Sequence, residues 1–242
     1  MSFKKTVFKT IFIFSIIGIT LLNSGCSQTI DELPTSTIEL INVTQKSYQS
    51  NPDEGYVEFS FNLPKDWCTD SSSYTNCYAY SDNVQTENPF FKWDSRLHIE
   101  RYLEPNTTNN DLELEEQEFL NDLFSGNLDG LEEYIEQSIL NSEETAKSLY
   151  QYLYPDNSLS QNTSMETKLN WIQCKVYQRQ YGKLVTLEYD YLLLGQKCHA
   201  LYCYREDIPY VIMAGYNDQL EVSTGDFATQ TADSLSVKED FS

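Results

Sequence analysis

Positive charge is scarce in this chain. Sixteen Lys and Arg stand against 37 Asp and Glu over 242 residues, for a formal net charge of −21. With no basic footprint to displace counterions from phosphates, binding to DNA or RNA through the backbone is excluded. Histidine is scarcer still: His98 and His199 are the two. This restricts His-based catalysis and His-rich metal sites, and neither residue sits in a supporting catalytic motif. No G-x-S-x-G elbow, phosphate-binding G-x-x-x-x-G-K-[ST], H-E-x-x-H or EF-hand loop is present. Paired carboxylates are numerous, but sequence sets no distance between them. The balance is against an enzyme, and no cofactor or metal is expected. No internal repeat is visible.

What is present argues for a folded protein. Hydrophobic residues make up 40% and aromatics 14% of the chain, too many for a wholly disordered one. The length suits one domain with a sizeable core.

The first 26 residues carry the most specific pattern. Lys4, Lys5 and Lys9 precede an apolar run over 11–22 (IFIFSIIGITLL), followed by Asn23-Ser24-Gly25-Cys26. The run would span roughly 18 Å as a helix, short of a roughly 30 Å hydrocarbon core. It reads as a secretory signal rather than a mature membrane span. Ser24-Gly25-Cys26 resembles the lipobox of bacterial lipoproteins, with Asn23 where that family usually has an apolar residue. The resemblance implies cleavage after Gly25 and a lipid on Cys26. The expected partner is then a membrane, through the anchor, on the extracytoplasmic side. Removing 1–25 removes three Lys and no acid, leaving 13 basic against 37 acidic residues, a net charge of −24. Residues 26–35 read as lipidated cysteine and tether, 36–238 as one domain, and 239–242 as a polar tail.

Five cysteines remain beyond Cys26. An odd number leaves at least one outside any intrachain pair. The compartment permits disulfides, and Cys68 and Cys77, close together across a polar loop, are the expected pair. Cys198 and Cys203 fall on opposite faces of a predicted strand, which argues against a metal site.

Hydrophobic period supplies the elements. Residues 56–63 alternate strictly, with Val57, Phe59, Phe61 and Leu63 on one side. Strands are also predicted over 36–45, 77–80 and 91–103. In the last, Leu97 and Ile99 share one face, and His98 falls on a charged, wet one. The period then becomes helical, and three helices are expected within 112–154. Gly126 would cap the first, and the third would open at Asn141 or Ser142. Beyond 168 comes a meander: strands over 171–180 and 184–194 around Tyr181-Gly182-Lys183, then 198–204 and 210–216. A last helix is expected from a capping box at Ser223 and Asp226. Hairpin-linked strands with segregated helices mean an α+β fold, an antiparallel sheet flanked by helices.

Two stretches, 56–67 (YVEFSFNLPKDW) and 210–237 (YVIMAGYNDQLEVSTGDFATQTADSLSV), resemble the PsbP-like, Mog1-related α/β/α fold. That resemblance implies an accessory protein that binds a partner or ligand.

Two candidate surfaces follow. Between Tyr102 and Ala146 lie 13 acids and no Lys or Arg. Of these, Asp129, Glu132, Glu133 and Glu136 cluster at helical spacing, a surface suited to a basic protein or peptide. Helical rather than loop spacing argues against a calcium site. The second surface is aromatic. Of 18 tyrosines, Tyr177, Tyr189, Tyr191, Tyr202 and Tyr204 fall in the meander, where they could contact a small molecule or glycan.

Overall fold

A computed structural model of the chain describes residues 28–29, 32–35, 37–48, 55–70, 76–81, 96–103, 112–153, 166–214 and 225–240. The leader, Cys26 and the capping box at Ser223 lie outside these residues. Among the described residues, no helix is long and apolar enough to cross a membrane.

The fold is α+β. A short strand, β1 (Gln28–Thr29), precedes β2 (Leu40–Tyr48), β3 (Tyr56–Pro64), β4 (Trp67–Asp70), β5 (Asn76–Ser81) and β6 (Arg96–Arg101). Helices α1 (Leu114–Ser125) and α2 (Leu128–Leu153) follow. The meander is β7 (Lys168–Arg179), β8 (Gly182–Leu193), β9 (Gln196–Arg205) and β10 (Tyr210–Ala214). The chain closes with α3 (Gly225–Ser234) and β11 (Ser236–Asp240). One sheet has the order β1-β7-β8-β9-β10-β6-β5-β4, and a smaller one has β11-β3-β2. Every pairing is antiparallel except that of β1 with β7.

The strict alternation of 56–63 does what its period requires. Val57, Phe59, Phe61 and Leu63 are all fully buried. They face Leu97, Ile99, Tyr210 and Ile212 of the large sheet, with Phe227 of α3 in the same core. The other face of the large sheet carries a second core. There Val176, Val185, Leu187 and Val211 pack under Leu120, Leu123, Leu131, Ile135 and Ile139 of the two long helices. The layers are therefore helices, large sheet, and a mixed layer of the small sheet with α3.

Several details differ from the sequence reading. Residues 128–153 form one helix, not two. Neither Asn141 nor Ser142 breaks it, and the Ser142 hydroxyl donates back to the Ser138 carbonyl at 2.8 Å, an i−4 bond that helices tolerate. The Gly126 cap is present, with φ 72° in the left-handed region. In the next turn, a Cβ on Gly130 would fall 2.1 Å from an Asp122 carboxylate oxygen, so a larger residue there would displace the carboxylate that accepts from the Asn127 amide at 2.8 Å.

The polar C-terminus is a strand rather than a tail up to Asp240. Ser236–Asp240 pairs with β3 from Ser60 to Tyr56. Basic residues fasten this end, and the chain has four arginines. Arg179 grips the Asp233 carboxylate through two hydrogen bonds of 2.8 Å. The buried Arg205 donates to the Leu235 carbonyl and lies 3.7 Å from the Tyr181 ring centroid. Arg101 pairs with Glu239. Part of the expected tether is also in the sheet, since Gln28 and Thr29 align with Val176 and Tyr177.

His98 is a further correction. It is 5% exposed, not on a wet face. Its register neighbours on either side are Tyr78 and Met213. The Tyr78 ring stacks on it at 4.3 Å and 8°. Cross-strand neighbours of that size cover an imidazole.

Candidate functional site

The α1–α2 layer covers one face of β8 and β9, and two kinds of surface result. Toward the sheet, the helices bury aliphatic and aromatic side chains. Toward solvent, α2 presents Asp129, Glu132, Glu133 and Glu136, all exposed. The four acids thus share the helix side opposite Leu131, Ile135 and Ile139, as a 3.6-residue period requires. Lys147, in α2, is the one basic residue of either helix, and it pairs with Glu143 one turn before it.

Between helices and sheet lies a cavity of about 190 Å³. Its floor is Tyr189, Tyr202 and Tyr204. Tyr189 and Tyr202 stand on adjacent strands with rings 5.8 Å apart and nearly parallel at 7°. Tyr202 and Tyr204, two residues apart on β9, are 6.4 Å apart at 19°. Its roof is Phe119 of α1 and Tyr134 of α2, stacked at 4.4 Å and 29°. Tyr102, just past β6, meets Tyr204 edge-on at 5.8 Å. Besides the tyrosine hydroxyls, the polar side chains lining it among the described residues are Glu116 and Ser138. A wider cleft of about 530 Å³ shares Tyr102, Leu103 and Leu120 with it and carries Lys183, Glu206 and Asp207. The Lys183 ammonium donates to the Phe124 carbonyl at 3.0 Å, near the C-terminus of α1, where a cation suits the helix dipole.

Burial sets the ionisation of these phenols. It pushes Tyr102 and Tyr134 up to about 12, with Asp207 adding to the first and Glu116 and Glu115 to the second. Tyr189 and Tyr204 are held well above the usual phenol value, and Tyr202 above it, again chiefly by desolvation. The cavity is therefore lined by neutral rings at physiological pH.

The five tyrosines proposed as one surface divide between the two faces of the sheet. Tyr189, Tyr202 and Tyr204 line the cavity, and Tyr191 packs against Tyr189 at 5.6 Å. Tyr177 pairs with Leu184, an odd number of residues from Tyr189, and so belongs to the opposite core. The rings that gather do so beneath helices rather than as an open platform. The sequence reading did not assemble Tyr102, Glu116, Phe119, Tyr134 and Ser138 around them. By helical spacing Phe119 shares a face with Leu112 and Leu123. Tyr134 and Ser138 fall on the stripe of Leu131 and Ile135, which a stricter reading of that helix would have found.

The expected disulfide does not form. Cys68 and Cys77 are not bonded to each other. Cys68 lies opposite Tyr80, three residues from Cys77, so the two sulfurs leave opposite faces of the sheet. Cys77 is fully buried, and burial raises its thiol to about 12, which leaves little nucleophilic thiolate. Cys198 and Cys203 do point to opposite sides: Cys203 is buried in the core under α3, with Cys198 an odd number of residues away. His199 reaches the Asp190 carboxylate at 2.5 Å and that of Glu188 at 3.1 Å. Burial works against its charge, but the two carboxylates outweigh burial and raise its pKa. No group of three or more His, Cys, Asp or Glu among the described residues could hold a metal ion.

No protein-family model matches the chain, and no curated protein matches it. Among solved structures, it is similar to the solution structure of cyanobacterial PsbP (CyanoP) from Synechocystis sp. PCC 6803. The identity is 12% and the TM-score 0.35, over 81% of this chain and 92% of that one. The overlap is loose.

Proposed function

We propose that the protein is a lipid-anchored, extracytoplasmic binding module of a bacterium. In this reading it docks a basic protein or peptide against the outer face of α1 and α2. The observation that carries the reading is the exposed row Asp129, Glu132, Glu133 and Glu136 on helices that hold a single lysine. Like charges one turn apart cost stability. A cationic partner offsets that cost, and the acidic field of the whole chain raises its encounter rate. Reversing Glu132, Glu133 and Glu136 to lysine is expected to abolish docking, and docking to the native chain should weaken steeply with salt.

The anchor rests on the Ser24-Gly25-Cys26 pattern. Two acyl chains hold a protein at a membrane where one is marginal. In a native host fed a tagged fatty acid, the wild type should take up label and sediment with membranes. Cys26→Ala should do neither, and equal labelling of both would remove the anchor from the account.

A further inference from the structure

The cavity under α1 and α2 has a chemistry distinct from the outer acids, none of which lines it. An apolar cavity of about 150 Å³ takes one benzene molecule. At about 190 Å³, this one has room for a single ring with a short substituent. Its walls combine the aromatic rings with Leu103, Leu112, Leu120, Ile135 and Leu187, and the ring faces and edges suit an aromatic guest. No cation lines it. Glu116 stands at its wall on the first turn of α1, where one carboxylate oxygen accepts the backbone N–H of Glu113 at 3.1 Å. A carboxylate has further lone pairs to offer an ammonium.

We propose that this cavity binds a small aromatic amine, its ring among Phe119, Tyr134, Tyr202 and Tyr204 and its ammonium at Glu116 and Ser138. An open glycan platform is not what these rings form, because sugars need exposed ring faces and several polar partners. An anionic aromatic acid would meet Glu116 with like charge.

The test is calorimetric titration of the purified full-length protein with phenethylamine, phenylpropionate, hexylamine and toluene. Phenethylamine is expected to bind one to one, with phenylpropionate and hexylamine each at least about tenfold weaker. Ser138→Phe, which fills the cavity, should abolish binding. Glu116→Gln keeps a side chain able to accept the same capping bond. It should weaken phenethylamine about tenfold and leave toluene unchanged. Three results would overturn the proposal: no saturable binding of the amine to the wild type, phenylpropionate binding as tightly, or undiminished amine binding to Glu116→Gln. Docking of a basic partner on the outer acids is read by separate variants, so either proposal can fail alone.

Discussion

Replacing Phe227 by alanine is expected to remove about 3–5 kcal/mol of stability, the range for deleting a fully buried aromatic side chain. Phe227 has no solvent exposure. Its ring meets that of Trp67 edge-on, at 4.9 Å and 82°. It is the large side chain that α3 places in the core between the two sheets. Without it, α3 would keep polar ties to the backbone of β3: the Asn62 N–H donates to Ser234 at 2.9 Å, and the Thr231 hydroxyl donates to the Asn62 carbonyl at 2.7 Å. Those ties cannot fill the void. Against a typical total of about 5–15 kcal/mol, the loss is large. Urea denaturation would show it as a lower midpoint with little change in slope. A loss under about 1 kcal/mol would mean that α3 does not sit in this core.

Alkaline pH is expected to unfold the protein abruptly, and the tyrosine cavity is the reason. A phenol whose folded pKa lies above its unfolded value near 10 keeps its proton while the unfolded chain releases one. Its contribution is intact below pH 10 and is lost as the pH rises toward the folded value. For Tyr102 and Tyr134 that window runs from about pH 10 to about 12, and Tyr189, Tyr202 and Tyr204 are raised as well. Each such group removes about 1.4 kcal/mol per pH unit inside its window, so two alone remove about 3 kcal/mol per unit. Phenolate absorbance should therefore rise in two stages, exposed tyrosines first and the buried group together with loss of the fold. Tyr134→Phe should shift the second stage to higher pH. A single reversible titration of every tyrosine on the folded protein would contradict this picture of the cavity.

The elements that announce themselves in the sequence are those whose burial is decided locally. Strict alternation identified β3, and the glycine at 126 identified a helix end. Elements decided by distant partners were not legible. β11 is a polar run, SVKED, that becomes a strand because β3 offers it an edge. The burial of His98 depends on Tyr78 and Met213, whose neighbouring strands sequence does not reveal. Residues 128–153 form one helix because Asn141 and Ser142, good openers of helices, also sit quietly inside one. The division of the meander's tyrosines between two faces turns on the register of β7 against β8. The cavity could not be read at all, since its roof and floor come from segments far apart in the chain. The outer acids were the most legible feature: their helical spacing alone put them on one exposed side.

The most direct test of the central claim is in-cell crosslinking of the C-terminally tagged protein in its native host, followed by mass spectrometry of the captured proteins. The account predicts a reproducible basic partner that is captured by the wild type and lost when Glu132, Glu133 and Glu136 are replaced by lysine. No partner above background, or one retained by the reversed variant, would contradict it.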